Sequence, residues 1–256
     1  MKNFLSRIIE IKRKEVEKLK SESCSFKNAL VNPKSDGLAI IAEIKLASPV
    51  AGLIGKKTDV TNRVTEYELA GVDAISVVVD KTYFQGEYSL IRKIKQNVIL
   101  PILAKDFIID PLQIFQSKRM GADAVLLIAK IVNQTKLIEL VKLAEELEID
   151  PIVEVDNQND LERVLKINTD LVAVNARNLD DFSVDIDRAC HLIKQIPENR
   201  VVLGFSGIRR REDVEKYKAA GARGVLVGTS LMKARNVKKF INKLREPLFK
   251  FTGPGF

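Results

Sequence analysis

Cysteine is scarce in this chain, and the two present, Cys24 and Cys190, lie far apart with no metal-ligand spacing. They provide no disulfide framework, which fits a reducing cytoplasm. Long apolar runs are missing as well. Nothing approaches the stretch of about 18 residues that a membrane-spanning helix requires. The opening residues, MKNFLSRIIEIKRKEVEKLK, carry charges throughout and lack the apolar h-region of a signal peptide. A glycine-rich nucleotide fingerprint is also absent. Finally, there is no basic block. The net charge is +8, but Lys and Arg are interleaved with acids, as in KRKEVEKLK and RRREDVEKYK. That is the pattern of solvated helix faces, so neither a nucleic-acid partner nor a membrane is expected. A positive balance of this size still suits an anionic metabolite.

What the chain does contain is repetition. Ala70-Gly71-Val72-Asp73-Ala74 precedes ISVVV, Met120-Gly121-Ala122-Asp123-Ala124 precedes VLLI, and Ala220-Gly221-Ala222-Arg223-Gly224 precedes VLVG. The three glycines are separated by one interval and then by its double, so two βα units per interval fit all three. Each follows an amphipathic pattern and can take the left-handed position that ends a helix. Apolar strand patterns fall near 39–45, 74–79, 101–105, 123–128, 151–155, 171–175, 200–205 and 224–228. Helical patterns fall between them, near 61–70, 87–96, 111–119, 134–147, 157–167, 184–195 and 209–219, with another after 229. This is the alternation of an α/β protein of the (β/α)8 TIM-barrel type. A doubly wound open sheet is the competing architecture.

With 256 residues, 46% of them hydrophobic, the chain fits a single barrel domain spanning 1–256. Residues 1–37 fall outside the alternation. They are expected to form an amphipathic helix (Phe4, Ile8, Ile9, Val16, Leu19) and a connector packed on the barrel.

Polar residues recur where these strands end. Strand 1 runs IIAEIK and closes with Glu43 and Lys45 on one face. Strand 3 ends at Lys105-Asp106, strand 5 at Glu154, and strand 6 at Asn175 with Arg177 just beyond. Catalytic groups of such barrels gather at the C-terminal ends of the strands. Glu43, Lys45, Lys105, Glu154 and Asn175 all continue the parity that faces the interior. A purely structural ion-pair cluster is the competing explanation, but buried ion pairs stabilise poorly because desolvation offsets their attraction. Phe205-Ser206-Gly207-Ile208 after strand 7 and Gly228-Thr229-Ser230 after strand 8 form a second constellation. Small residues opening helices at these two loops are where barrels commonly hold phosphate.

The segments AEIKLASP, KTYFQGEY, ILAKDFIIDPLQI, GADAVLLIAKI, VEVDNQNDLERVL, VNARNLDDFSVD, FSGI and VLVGTSLM resemble, in order and spacing, the indole-3-glycerol phosphate synthase family. The likeness covers essentially the whole chain, and the KDFIIDPLQI segment is its most specific part. It implies a lyase of tryptophan synthesis that closes the ring of 1-(2-carboxyphenylamino)-1-deoxyribulose 5-phosphate with loss of carbon dioxide and water. It implies no metal or organic cofactor, a small phosphorylated substrate, and a monomer or weak homodimer. Residue by residue, Glu43, Lys45, Lys105, Glu154 and Asn175 take the catalytic positions. Ser48, Phe107, Leu126, Arg177, Ser206, Gly207, Gly228 and Thr229 take the substrate-binding ones.

Departures from the family pattern are also present. Phe205 stands where the family has Glu, Val50 and Ala51 where it has Ser and Lys, Val79 where it has Thr, and Ala176 where it has a polar residue. Together these read as losses from one rim. They leave open a paralogue on the same barrel that binds a phosphorylated ligand with altered or lost activity. Phe205 shares the inward parity of Leu203, so it should point at Lys105. An apolar ring in place of a carboxylate should lower the pKa of that lysine.

Overall fold

The computed structural model describes residues 5, 8–13, 25–35 and 37–246. Eight parallel strands close into a barrel: β1 (Ala39–Ile44), β2 (Ala74–Val78), β3 (Ile102–Lys105), β4 (Ala124–Ile128), β5 (Asp150–Val155), β6 (Leu171–Asn175), β7 (Val201–Phe205) and β8 (Gly224–Val227). Each strand pairs with its sequence neighbours, and β8 pairs with β1 to seal the ring. The open-sheet alternative is thereby excluded. Among the described residues no helix is long and apolar enough to cross a membrane.

The helices follow the strands. Helix α1 (Phe26–Val31) precedes the barrel, and α2 (Val60–Leu69), α3 (Ser89–Lys95), α4 (Pro111–Met120), α5 (Gln134–Glu146), α6 (Gln158–Leu165), α7 (Ile186–Ile193) and α8 (Arg211–Ala220) surround it. After β8 come a short helix, α9 (Thr229–Met232), and then α10 (Val237–Arg245). Gly121 and Gly221 occupy left-handed positions after α4 and α8, with φ of 93° and 107°. The repeated glycine thus ends each helix by the geometry that its lack of a Cβ permits.

Strand parity sorts the core into two layers. Ala39, Ile41, Ala74, Leu103, Leu126, Ile152, Ala173, Leu203, Phe205 and Leu226 form one buried cluster inside the barrel. Ile40, Ala42, Ile44, Val77, Val125, Val153, Val174 and Val225 belong to a second, between strands and helices. The interior cluster also contains Phe26 and Leu30, both buried. Helix α1 therefore plugs the end of the barrel from which the strands start. The sequence pattern treats this stretch as connector, because six residues carry too little periodicity to register as a helix.

Of the expected leading helix, 8–13 are helical, and Ile8 and Ile9 are 37% and 51% exposed. The face assigned to packing on the barrel is open there; Phe4, Val16 and Leu19 lie outside the described residues.

Candidate active site

At the end of β1 the chain places a carboxylate inside a barrel, where a lone charge is costly to bury. The cost is offset by two ammonium groups. Glu43 is 1% exposed, its Oε1 lies 2.8 Å from Lys45 Nζ, and its Oε2 accepts from Lys105 Nζ at 2.9 Å. Burial pushes the Glu43 pKa up, but Lys105 and Lys45 outweigh it and hold the carboxyl at about 2. Lys105, at the end of β3, is pushed down by desolvation; the charges of Glu43 and Glu154 outweigh this, and its pKa lies above the ordinary lysine value. The expectation of a lowered lysine pKa is thus corrected. Phe205 does point inward, and Lys105 Nζ sits 5.2 Å from its ring centroid. The desolvation it brings is overridden by a carboxylate at hydrogen-bonding distance.

Glu154 and Asn175 form the facing half. Asn175 Nδ2 donates to Glu154 Oε1 at 3.1 Å, while Asn175 Oδ1 accepts from the Arg177 amide at 3.0 Å. Glu154 Oε2 is buried without a hydrogen-bond partner. Desolvation raises the Glu154 pKa, and the neighbouring Lys105 charge only partly opposes it. The pocket therefore holds one carboxylate fixed in its charged form and one biased toward its protonated form, with an ammonium between their influences. Such a split is the arrangement that separates acid and base roles.

The walls come from the loops. Asp80 Oδ2 accepts from the amides of Tyr83 and Phe84, at 2.7 and 3.1 Å, wrapping the KTYFQGEY segment over the end of β2. Gly86 makes this possible, since a Cβ there would lie 2.1 Å from the Val78 carbonyl oxygen. The wrapped loop brings Phe84 to Phe107, ring centroids 6.2 Å apart. Phe107 is 41% exposed at the mouth, and Leu126 is buried in the floor. Phe84 is a wall residue that the sequence reading missed, although it lies inside a motif that carried the resemblance. Tyr88 is a further one: its hydroxyl donates to Asp106 at 2.6 Å, and Gln113 Nε2 donates to the same oxygen at 3.2 Å. These bonds tie the start of the β3 loop to the start of α3 on one side and to α4 on the other.

Other predicted residues lie around the rim. Arg177 Nη1 donates to the Phe182 carbonyl at 2.8 Å, so the guanidinium is folded onto its own loop. Ser48 accepts from the Ala51 amide at 3.0 Å within a small hairpin, 47–48 against 52–53. Ser206 and Gly207 both have left-handed backbones, with φ of 70° and 83°. Gly228 packs directly on the charged cluster: a Cβ there would lie 2.3 Å from Glu43 Oε1 and 3.4 Å from Lys45 Nζ. Thr229 opens α9 beside it.

The departures from the family pattern do not cluster in the pocket as their sequence positions imply. Val79 and Ala176 are buried in the layer between strands and helices, on the outward parity. Val50 is exposed at the hairpin tip. Of the five, Phe205 alone stands beside the charged cluster.

A closed (β/α)8 barrel with buried acids and a lysine at the C-terminal ends of its strands has the form of an enzyme of this fold. Residues 5–244 match the family model described as indole-3-glycerol phosphate synthase. The chain is 40% identical over 248 residues to the indole-3-glycerol phosphate synthase of Priestia megaterium, covering 94% of this chain and 97% of that one. It is also 40% identical over 257 residues to the protein of that name from Caldanaerobacter subterraneus subsp. tengcongensis, covering 94% and 99%. Among solved structures, the tryptophan synthase A-subunit of Pyrococcus furiosus superposes with a TM-score of 0.61 at 15% identity, over 82% of this chain and 97% of that one, a likeness of fold alone. The chain belongs to the indole-3-glycerol phosphate synthase family.

Proposed function

We propose that this chain is an active indole-3-glycerol phosphate synthase, and that Glu43, Lys105, Glu154 and Asn175 divide its proton transfers. The observation that carries the reading is the Lys105 ammonium, held on Glu43 at 2.9 Å and influenced by the Glu154 charge within the same pocket. In the first step the ring carbon bearing the carboxylate attacks the ketone carbon of the deoxyribulose chain, pushed by the amine lone pair. The ketone oxygen takes a proton from Lys105 and becomes a hydroxyl. Carbon dioxide then leaves, and the electron pair of its bond restores the aromatic ring. In the last step the new hydroxyl departs as water and a proton leaves the adjacent carbon. Glu154, whose pKa burial raises, gives a proton to the leaving hydroxyl, with Asn175 positioning it, and is reprotonated from solvent; Lys105, left neutral by the first step, takes the proton from the adjacent carbon and regains its charge.

Phe107, with Phe84, supplies an apolar wall for the anthranilate ring, and Leu126 the floor. Lys45 and Arg177 balance the negative charges of carboxylate and phosphate, Arg177 by turning its fork away from Phe182. The turn Ser206-Gly207 and the start of α9 at Gly228-Thr229 hold the phosphate, with Ser48 in the loop after the neighbouring strand β1. The altered-activity alternative loses most of its support, because Val79 and Ala176 do not reach the pocket. The test is a steady-state assay with the carboxyphenylamino-deoxyribulose phosphate, following indole fluorescence. Product formation at an ordinary enzymatic rate is expected. Binding of the substrate without turnover would overturn the reading in favour of the paralogue.

A further inference from the structure

The turn after β7 is held from behind by a side chain to which nothing above gives a role. Tyr217 lies on α8, is buried, and directs its hydroxyl back at the strand end. That hydroxyl is 3.0 Å from the Phe205 carbonyl oxygen and 3.0 Å from the Ser206 carbonyl oxygen. Phe205 O also accepts from the Ala176 amide at 2.9 Å, and Ser230 Oγ donates to Ile208 O at 2.7 Å. The turn is therefore pinned from β6, α8 and α9 together.

The pinning matters because the turn is not a relaxed one. Ser206 adopts φ of 70°, a left-handed backbone that L-residues other than Asn and Asp rarely take. Gly207 follows at φ of 83°. Peptide planes in such a conformation stay in place when their surroundings fix them. Gly204 completes the device: a Cβ at that position would lie 2.3 Å from Tyr217 Cδ1 and 2.5 Å from Cε1. The ring can pack against the strand because residue 204 has no side chain.

We propose that Tyr217 is a positioning residue for the phosphate-binding turn, and that Gly204 serves to admit its ring. The hydroxyl orients the Ser206-Gly207 peptides for the anion, and touches neither substrate nor the reacting atoms. This proposal rests on the reading that the turn holds phosphate.

The test titrates inorganic phosphate and measures kcat and KM with the synthase substrate for wild type, Tyr217→Phe, Gly204→Ala and the double variant. Wild type is expected to bind phosphate competitively with substrate. Tyr217→Phe should weaken phosphate affinity and raise KM by about fivefold to tenfold, the scale of one lost hydrogen bond, with kcat within about threefold. Gly204→Ala should do the same by displacing the ring. On the Tyr217→Phe background, Gly204→Ala should cost no further phosphate affinity, because the hydroxyl through which it acts is already gone. Should Tyr217→Phe not fold, Gly204→Ala alone gives the KM and phosphate readout. A merely structural role would lower the melting temperature and leave KM and phosphate affinity of the folded enzyme within twofold of wild type, and that result overturns the proposal. Wild type that binds no competitive phosphate overturns the reading beneath it instead.

Discussion

Carboxylates of Asp73, Asp123 and Asp150 at one end of the barrel and of Glu43 and Glu154 at the other are satisfied in different ways. At the end where strands begin, Asp73, Asp123 and Asp150, of which Asp73 alone is fully buried, accept from backbone amides. Asp73 accepts from the amides of Lys34 and Ile40, at 2.6 and 2.8 Å, and from Arg245 Nη2 at 3.0 Å. Asp123 accepts from the Ile102 amide at 2.7 Å and from Lys95 at 2.5 Å, and Asp150 accepts from the Lys27 amide at 2.9 Å and from Ser25 Oγ at 3.1 Å. At the end where strands finish, Glu43 pairs with lysine heads, Glu154 with an amide, and one oxygen of Glu154 has no partner. The first arrangement is saturated by the fold. The second leaves one buried oxygen of Glu154 without a partner, as the proposed binding end requires.

The sharpest way to separate the two ends is Lys105→Met. It should lower kcat about 1000-fold, within the range of a general acid, while phosphate binding persists. Turnover above about a tenth of wild type would place the acid elsewhere. Glu154→Gln comes next, with a loss of about 100-fold in kcat. Burial raises the Glu154 pKa, so the protonated form survives above the ordinary carboxylate range and the rate should fall as pH rises through that raised value. A pH profile of kcat in which this limb persists in Glu154→Gln would assign it to another group.

Asp73→Ala tests the other end. It leaves two amides and Arg245 without their acceptor and should cost about 2 kcal/mol of stability, roughly 30-fold in the folding equilibrium. Its kcat at moderate temperature should stay within twofold of wild type. A denaturant titration alongside the assay checks both, and a matching loss of activity would deny the separation of the ends. Acid should act on the mouth instead. A carboxylate depressed from 4.5 to about 2, as Glu43 is, contributes stability that is present above 4.5 and lost as pH falls through about 2.

Much of this was legible in the sequence because it follows from periodicity. Alternation assigned Glu43, Lys105, Glu154 and Asn175 to one face, and the strand-end rule assigned them to one end. The glycines after three of the helices, Gly71, Gly121 and Gly221, marked the units. What remained hidden depends on contacts between distant segments. Phe84 reaches Phe107 only because Gly86 lets its loop lie on Val78. Tyr217 looks like an ordinary helix residue until the strand end it touches is in place. Val79 and Ala176 adjoin rim residues in the chain, but a single step along a strand reverses the face. The sign of the Lys105 shift is set by a contact of the same kind. The departure at Phe205 was visible in the sequence, whereas the 2.9 Å approach of Glu43 that outweighs it was not.

Phe205, which closes β7, gives the smallest expected effect: it is an interior core residue beside the Lys105 ammonium. Its ring is buried in the barrel core and lies 5.2 Å from Lys105 Nζ. A cation over an aromatic face gains about 0.5–2 kcal/mol, so the ring favours the charged lysine while its bulk excludes the water that would also favour it. Phe205→Leu keeps the exclusion and removes the attraction. The lysine pKa should then move down, and the alkaline limb of kcat/KM against pH should move with it, because a lysine acid works only while protonated. Phe205→Glu does the reverse by adding a negative charge beside Lys105, so the limb should move up. The added charge should also raise the Glu154 pKa further, since like charges disfavour ionisation. Because Glu43 already holds the ammonium, kcat/KM near neutral pH should change by only about threefold in either variant. Limbs that coincide in all three proteins would show that the ring is core packing alone. A limb that rises in Phe205→Leu would show that the smaller side chain lets water reach Lys105 and that this outweighs the lost attraction.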